Sequence, residues 1–219
     1  MKKLFLLTAV AFFAIATFAQ SEKYMATMKS NIAAIDTSFK NPQNLLTLAN
    51  NFERIATAEK TQWLPYYYAA LCQVNYTFME QDKSKVDAIA DKATELINKA
   101  DALQPNNSEI SVIKSMIATS QMLANPMQRF MEYGNKAESY LDAAMQQDPK
   151  NPRPEYLKGQ TLKYSPDCRD CPVQFRGGCE AAKPLLQASL EKFNKFIPAS
   201  ELHPNWGKQR VDMLISECK

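Results

Sequence analysis

The sequence predicts an all-α protein in which antiparallel helix pairs stack as a right-handed solenoid, with about four pairs and a C-terminal helix. Apolar residues recur at helical spacing along most of the chain. Only five of the 219 residues are glycine, which argues against phosphate-binding loops and tight hairpins. Helix-ending prolines recur at Pro105, Pro149 and Pro198, which are 44 and 49 residues apart, and such a period is typical of helical repeats.

Residues 1–19 have the pattern of a secretory signal peptide. Lys2 and Lys3 precede the apolar run Leu4–Ala16, and small residues precede the expected cleavage after Ala19. The run is shorter than the roughly 20 apolar residues that span a bilayer, although a retained anchor is the alternative. We therefore expect residues 20–219 to form a single exported domain, periplasmic or secreted, with no membrane insertion after cleavage.

The charge pattern argues against two classes of partner. Removal of Lys2 and Lys3 leaves 24 basic and 23 acidic residues, a formal net charge of +1. Nucleic-acid binding and anionic membrane surfaces both favour clustered basic residues, which the sequence lacks. The single histidine, His203, precedes Pro204 at a predicted helix start and is interpreted as structural. No catalytic set, cofactor site or metal site is predicted, so we do not expect an enzyme.

The helical periodicity predicts nine helices. Polar residues that suit an N-cap stand before several of them, and proline follows several of their ends. The predicted helices are Glu22–Phe39, Pro42–Glu59, Gln62–Met79, Ser84–Leu103, Ser108–Leu123, Met127–Gln147, Arg153–Tyr164, Cys179–Phe196 and Pro204–Glu217.

Two junction segments carry a family resemblance. The stretches "ALQPNNSE" and "AMQQDPKNPRPEYLKG" resemble the junction between consecutive tetratricopeptide repeats, with Gly159 as the small residue and Leu162 as the large apolar residue of the next helix. The resemblance covers residues 63–198, with repeats longer than the usual 34 or so residues. A generic helix bundle is the alternative.

Four further stretches resemble a group of exported tetratricopeptide-like proteins of Gram-negative bacteria. They are "AEKTQWLPYYYAAL", "ANPMQRFMEYG", "FRGGCEAAKPLL" and "LHPNWGK". This resemblance implies export and a helical-repeat fold, and it implies no activity.

Of the five cysteines, one suits a buried position and the other four allow three interpretations. Cys72 lies within a predicted helix and suits a buried position. For the other four, export favours two disulfides, Cys179–Cys218 and Cys168–Cys171. A four-cysteine zinc site is the second interpretation. A redox-active pair at Cys168 and Cys171 is the third, although thioredoxin-like motifs accompany a βαβ pattern that is missing here.

A repeat array presents a concave surface lined by the first helix of each pair. The family resemblance implies a groove at Arg153, Tyr156, Gln160, Lys163 and Tyr164, with an ordinary polar helix face as the alternative. The aromatic run from Trp63 to Tyr68 suits either packing between helix pairs or part of such a groove.

The first functional hypothesis is a non-enzymatic scaffold that binds a protein or peptide partner in the cell envelope or secreted space. One alternative is a structural envelope component without a discrete groove. The other is a thiol–disulfide active protein that uses Cys168 and Cys171.

Overall fold

The computed structural model describes residues 22–165 and 177–218, and the described residues are helical with no strand. A 3₁₀ turn at Lys83–Lys85 precedes α4, and a π-helical turn at Phe130–Gly134 lies between α6 and α7. The α-helices are α1 (22–38), α2 (Gln43–Glu59), α3 (Trp63–Met79), α4 (Val86–Leu103), α5 (Ser108–Ala124), α6 (Pro126–Arg129), α7 (Asn135–Gln147), α8 (Arg153–Tyr164), α9 (Gly178–Lys195) and α10 (Lys208–Ser216).

The all-α prediction is confirmed. Most predicted helices begin and end within two residues of those observed, and two of them differ by more. The predicted helix at Met127–Gln147 is divided by the π-helical turn, which inserts an extra residue into the helical hydrogen-bond ladder. The last helix begins at Lys208 rather than Pro204 because Gly207 has a φ of 111°, which a right-handed helix cannot accommodate.

Helices that follow one another along the chain also lie next to one another in space. The helix α3 packs between α2 and α4, α5 packs on α7, and α8 packs on α9. Short connections between such neighbours produce antiparallel pairs. The pairs are α3–α4, α5–α7 and α8–α9, and α10 packs on α9 at the end of the stack. The first pair is α1–α2, in which Asn51 of α2 donates a hydrogen bond to the side-chain oxygen of Asn31 of α1 at 3.2 Å.

The hydrophobic core has two parts. The larger part lies among α1 to α5 and includes the fully buried Met28, Phe52 and Tyr67. The smaller part lies among α8, α9 and α10. Leu157 and Trp206 pack against both parts, so the last pair and the terminal helix are continuous with the rest of the stack.

The junctions before α5 and α8 repeat the same capping geometry. The side-chain oxygen of Asn107 accepts a hydrogen bond from the backbone N–H of Glu109 at 2.9 Å, and Asn151 does the same for Arg153 at 3.0 Å. Each asparagine satisfies an N–H that has no partner within its own helix. Glu109 and Arg153 therefore occupy equivalent positions in two successive repeats, 44 residues apart.

Gly159 lies where α8 and α9 approach most closely. It is buried, and a Cβ atom there would lie 2.9 Å from Cγ and Cδ2 of Leu186 on α9. Leu186 is fully buried, so it has little room to move away. A residue without a side chain is needed at this position for the two helices to pack.

The end of the chain is crosslinked as the sequence predicts. Cys179 in the first turn of α9 forms a disulfide with Cys218 just after α10, with their Cα atoms 5.2 Å apart. A zinc site with four cysteine ligands is therefore not formed, because two of its thiols are joined. Cys168 and Cys171 lie outside the described residues, so the predicted second bridge and the alternative of a redox-active pair both stay predictions.

None of the described helices is long and apolar enough to cross a bilayer. The predicted signal peptide, residues 1–19, lies outside the described residues and stays a prediction.

Candidate functional site

Residues 196–207, which we call the connecting segment, cross the first helices of three pairs. Leu202 in this segment is buried in the larger core, and Trp206 packs between the two cores. Three polar contacts hold the segment. Lys29 pairs with Glu201 at 2.7 Å, and the Tyr68 hydroxyl donates a hydrogen bond to the Leu202 carbonyl at 2.8 Å. Trp206 Nε1 donates a hydrogen bond to the Tyr67 hydroxyl at 2.8 Å.

A cavity of about 320 Å³ opens between the connecting segment and the junctions that precede α5 and α8. Its size is at the lower end of the roughly 300–1,000 Å³ typical of small-molecule sites. Trp63, Phe196, Ile197 and Pro204 supply an apolar side. Ile197 is 86% exposed beside this cavity.

The opposite side of the cavity is polar and contains a buried ion pair. Glu109 lines the cavity and accepts a hydrogen bond from Arg153 Nη1 at 2.8 Å, from Asn151 Nδ2 at 2.9 Å and from the Tyr67 hydroxyl at 3.3 Å. Burial raises the pKa of the Glu109 carboxyl, and the guanidinium of Arg153 opposes that rise. Asp148 lines the same cavity. The polar side therefore presents carboxylates to a ligand.

Arg153 is fully buried behind Glu109 and is surrounded by aromatic rings. Its guanidinium carbon lies 4.9 Å from the ring centre of Trp206, 5.0 Å from that of Phe196 and 5.8 Å from that of Phe193. The quadrupoles of these rings attract the cation. Its Nε and Nη2 atoms have no hydrogen-bond partner among the described residues.

His203 also lines the cavity. Its Nδ1 lies 2.7 Å from Ser200 Oγ, and a backbone hydrogen bond from His203 N–H to the Ser200 carbonyl closes the turn. Its ring meets the Trp63 ring edge-on at 5.8 Å between centroids. Burial lowers the pKa of His203, which favours the neutral form of the imidazole.

Two of the five residues of the groove expected from the family resemblance are buried, and the groove itself stays a prediction. Arg153 is fully buried and Tyr156 is 7% exposed, because Trp206 in the connecting segment covers both side chains. Lys163 is paired with Glu217, and Gln160 is half-buried. The fifth residue, Tyr164, is 60% exposed and accepts a hydrogen bond from Arg210 at 2.9 Å.

The aromatic run of α3 is mainly a packing feature. Tyr67 and Tyr68 are buried, and the Tyr68 ring stacks on Phe52 of α2 at 5.3 Å. Trp63, at the start of the run, is the member that lines the cavity. Cys72 is buried in the same helix as expected, and burial raises the pKa of its thiol to about 12.

A second exposed apolar surface surrounds the π-helical turn. It is formed by four exposed side chains, which are Leu123 (46% exposed), Met127 (96%), Phe130 (54%) and Met131 (67%). We call them the methionine patch. Arg129 anchors the turn through two hydrogen bonds to Asp87 at 2.6 and 2.7 Å. The patch is formed by exposed side chains on the surface of the protein.

Sequence reasoning missed the pairing of Glu109 with Arg153 and the role of Trp206. A signal for the first was present, because Asn107 and Asn151 precede Glu109 and Arg153 by the same two residues in successive repeats. The sequence carries no corresponding signal for Trp206, since the connecting segment has no periodicity that predicts where it packs.

Comparison with known proteins identifies a relative of this chain. The HusA haemophore from Porphyromonas gingivalis has a solved structure that is 32% identical in sequence and superimposes with a TM-score of 0.78. The match covers 90% of this chain and 92% of that one. No protein-family model and no curated protein matches the chain.

Proposed function

Because this chain belongs to the family of the HusA haemophore, we propose that it is an exported, non-enzymatic protein that binds and carries haem. The observation that carries the proposal is a relationship in both sequence and fold that extends over nearly the full length of the two chains. The Cys179–Cys218 disulfide supports export, because such bonds persist in oxidising compartments.

We place the haem at the cavity beside the connecting segment. Haem presents a flat apolar macrocycle, and the apolar side formed by Trp63, Phe196 and Ile197 offers it aromatic and aliphatic contacts. Haem also carries two propionates, which the carboxylates of Glu109 and Asp148 would repel. We therefore place the macrocycle against the apolar side with its propionates directed to solvent. A cavity of about 320 Å³ holds only part of such a ligand.

A small flat ligand suits this surface better than a peptide does. A peptide in a repeat groove lies along the first helices of successive pairs. Here the connecting segment already crosses those helices, and Leu202 is buried against them. We further propose that the helix pairs are of the tetratricopeptide type, which the close packing of Gly159 against Leu186 supports.

Absorbance titration of the mature chain with ferric haem tests the proposed function and its site. We expect saturable binding and a shifted Soret band. Ile197→Glu should weaken binding by about tenfold or more, because it removes apolar contact worth about 1.5–3 kcal/mol and adds a charge that repels the propionates. Ile197 is exposed, so this substitution should leave the fold intact.

The matched control is Met127→Glu, which places the same charge on the methionine patch at a residue that is 96% exposed. It should bind haem as the wild type does. Loss of binding in Met127→Glu, with Ile197→Glu unaffected, would move the site to the methionine patch. Absence of saturable binding by the wild type would refute the proposed function.

A further inference from the structure

We propose that one edge of the helix stack docks on the surface of a lipid bilayer, with the methionine patch at the centre of the contact. The docking is peripheral, because single side chains rather than a helix enter the lipid. This inference goes beyond the proposed function and does not rest on it. It is carried by the exposed apolar side chains, which gather at this edge instead of being scattered over the surface.

The edge is defined by the ends of the first helices of the pairs. Because successive helices are antiparallel, α1, α3, α5 and α8 run in the same direction and end on the same side of the stack. A large exposed apolar side chain stands at or next to each of these four ends, namely Phe39, Phe78, Leu123 and Tyr164.

The methionine patch continues this edge beyond the end of α5. It adds three side chains, so seven of the ten large apolar side chains that are exposed among the described residues lie here. Apolar side chains that are exposed singly are common, whereas a cluster of this kind marks an interaction surface.

The turn that carries the patch is held in place from the protein side. Met127, Phe130 and Met131 are spaced three and four residues apart, which puts their side chains on one side of the turn. Arg129 turns toward the protein instead, where it donates hydrogen bonds to both carboxylate oxygens of Asp87 and, at 3.1 Å, to a backbone carbonyl of α5. The apolar side chains are therefore presented outward by an anchored turn.

The size of the patch argues against a second copy of the chain as its partner. Large side chains have on the order of 200 Å² of surface each, so four of them at about two-thirds exposure offer roughly 500 Å². A stable protein interface buries about 800 Å² on each partner. The other apolar residues of the edge do not extend the patch into one face, because the exposed polar turn 81–85 lies at the same edge.

A lipid surface accepts such a discontinuous set of apolar side chains. Each side chain enters the boundary between headgroups and acyl chains separately, and the polar turns stay hydrated among the headgroups. The charges beside the patch balance, since Arg129 is paired with Asp87 at 2.6 Å and the next two charged residues, Glu132 and Lys136, have opposite signs. Binding therefore depends on burial of apolar surface, which salt does not screen, and needs no anionic lipid.

The docking edge lies at the opposite end of the helices from the cavity. The cavity is lined by residues that precede α5 and α8, whereas the docking edge lies where those two helices end. The 17 residues of α5 span about 25 Å at 1.5 Å per residue. A protein docked by this edge leaves the cavity open to solvent, so the two surfaces can be tested separately.

Co-sedimentation of the mature chain, residues 20–219, with phosphatidylcholine vesicles tests the inference. We expect half of the protein to be bound at roughly 0.1 mM accessible lipid, the strength of a single acyl chain, and no change in binding when salt is raised tenfold. Met127→Glu and Met131→Glu should each weaken binding at least tenfold, because each replaces an inserted apolar side chain by a charge. Both residues are exposed, so the fold should stay intact.

The matched control is Ile197→Glu, which places the same charge on an exposed apolar residue beside the cavity. It should bind vesicles as the wild type does. Absence of vesicle binding by the wild type would overturn the inference, as would binding that requires phosphatidylglycerol and is lost in high salt. Equal binding by the wild type and Met127→Glu would overturn it as well.

Analytical ultracentrifugation without lipid tests the competing occupant. We expect a monomer, whereas a dimer that Met127→Glu dissociates, together with absent vesicle binding, would assign the patch to a second copy of the chain. These results leave the proposed function untouched, because haem titration tests it on the same variants and Met127→Glu should still bind haem.

Discussion

Replacement of Glu109 by glutamine should destabilise the fold strongly, because it leaves the buried charge of Arg153 without a counter-charge. The carboxylate accepts from Arg153 Nη1 at 2.8 Å, and the guanidinium is fully buried. Breaking a buried ion pair by removing one partner costs about 3–5 kcal/mol. For a domain of this size each kcal/mol lowers the melting temperature by about 2–4 °C, so we expect a fall of roughly 6–20 °C.

The assay is thermal and urea unfolding at pH 7, followed by far-ultraviolet circular dichroism. Glu53→Gln is the matched control, because Glu53 pairs with Lys92 at a similar distance of 2.7 Å but both side chains are about one-third exposed. Partly exposed pairs of this kind contribute about 0–1 kcal/mol. The control should therefore unfold within about 4 °C of the wild type.

A double variant separates the charge effect from a loss of shape. Arg153→Met removes the unpaired cation and leaves an apolar side chain among the rings of Phe193, Phe196 and Trp206. Glu109→Gln with Arg153→Met should therefore be more stable than Glu109→Gln alone, since apolar replacements of buried pairs are often neutral. The reasoning is refuted if Glu109→Gln unfolds like Glu53→Gln, or if the double variant is no more stable than Glu109→Gln.

Two further predictions concern packing and crosslinking. Gly159→Ala should lower the melting temperature, because overpacking against Leu186 at 2.9 Å costs about 1–3 kcal/mol. The control is Gly134→Ala, whose Cβ would have no neighbour nearer than 3.4 Å. It should raise the melting temperature through a helix-propensity gain of about 0.5–1 kcal/mol. A Gly159→Ala variant that is more stable than the wild type would contradict the close packing of α8 on α9. Replacement of both Cys179 and Cys218 by serine should lower the free energy of unfolding by about 4 kcal/mol, the chain-entropy value for a loop of some 40 residues. An unchanged urea midpoint would show that this bond does not restrain the unfolded chain.

The helices were predictable because each carries its own local signals. The bounds of α8 match the prediction. Asn151 and Pro152 mark its start in the sequence, and the helix ends at Tyr164, before the extended residue Ser165. The start of α5 was predictable for the same reason, because Asn107 caps it. The division of the helix at Phe130–Gly134 was not, because an inserted residue leaves the apolar pattern on both sides nearly unchanged.

The candidate site was less predictable because it depends on contacts between distant parts of the chain. Arg153 occupies a first-helix position that would be exposed in a regular repeat array, and its burial requires Glu109 from the previous repeat and Trp206 from the connecting segment. The connecting segment has no helical period, so the sequence does not show that Leu202 is buried against α1 and α3. The Cys179–Cys218 bond was predictable because only a few pairings of the late cysteines exist.

The most direct test of the central claim is fluorescence titration of the mature chain with haem. The chain has two tryptophans, Trp63 on the cavity wall and Trp206 beside the buried ion pair, and haem bound in the cavity should quench both. We predict quenching that saturates at one haem per chain and is weakened by Ile197→Glu. A fluorescence that declines without saturation as haem is added would contradict haem binding as the function of this protein.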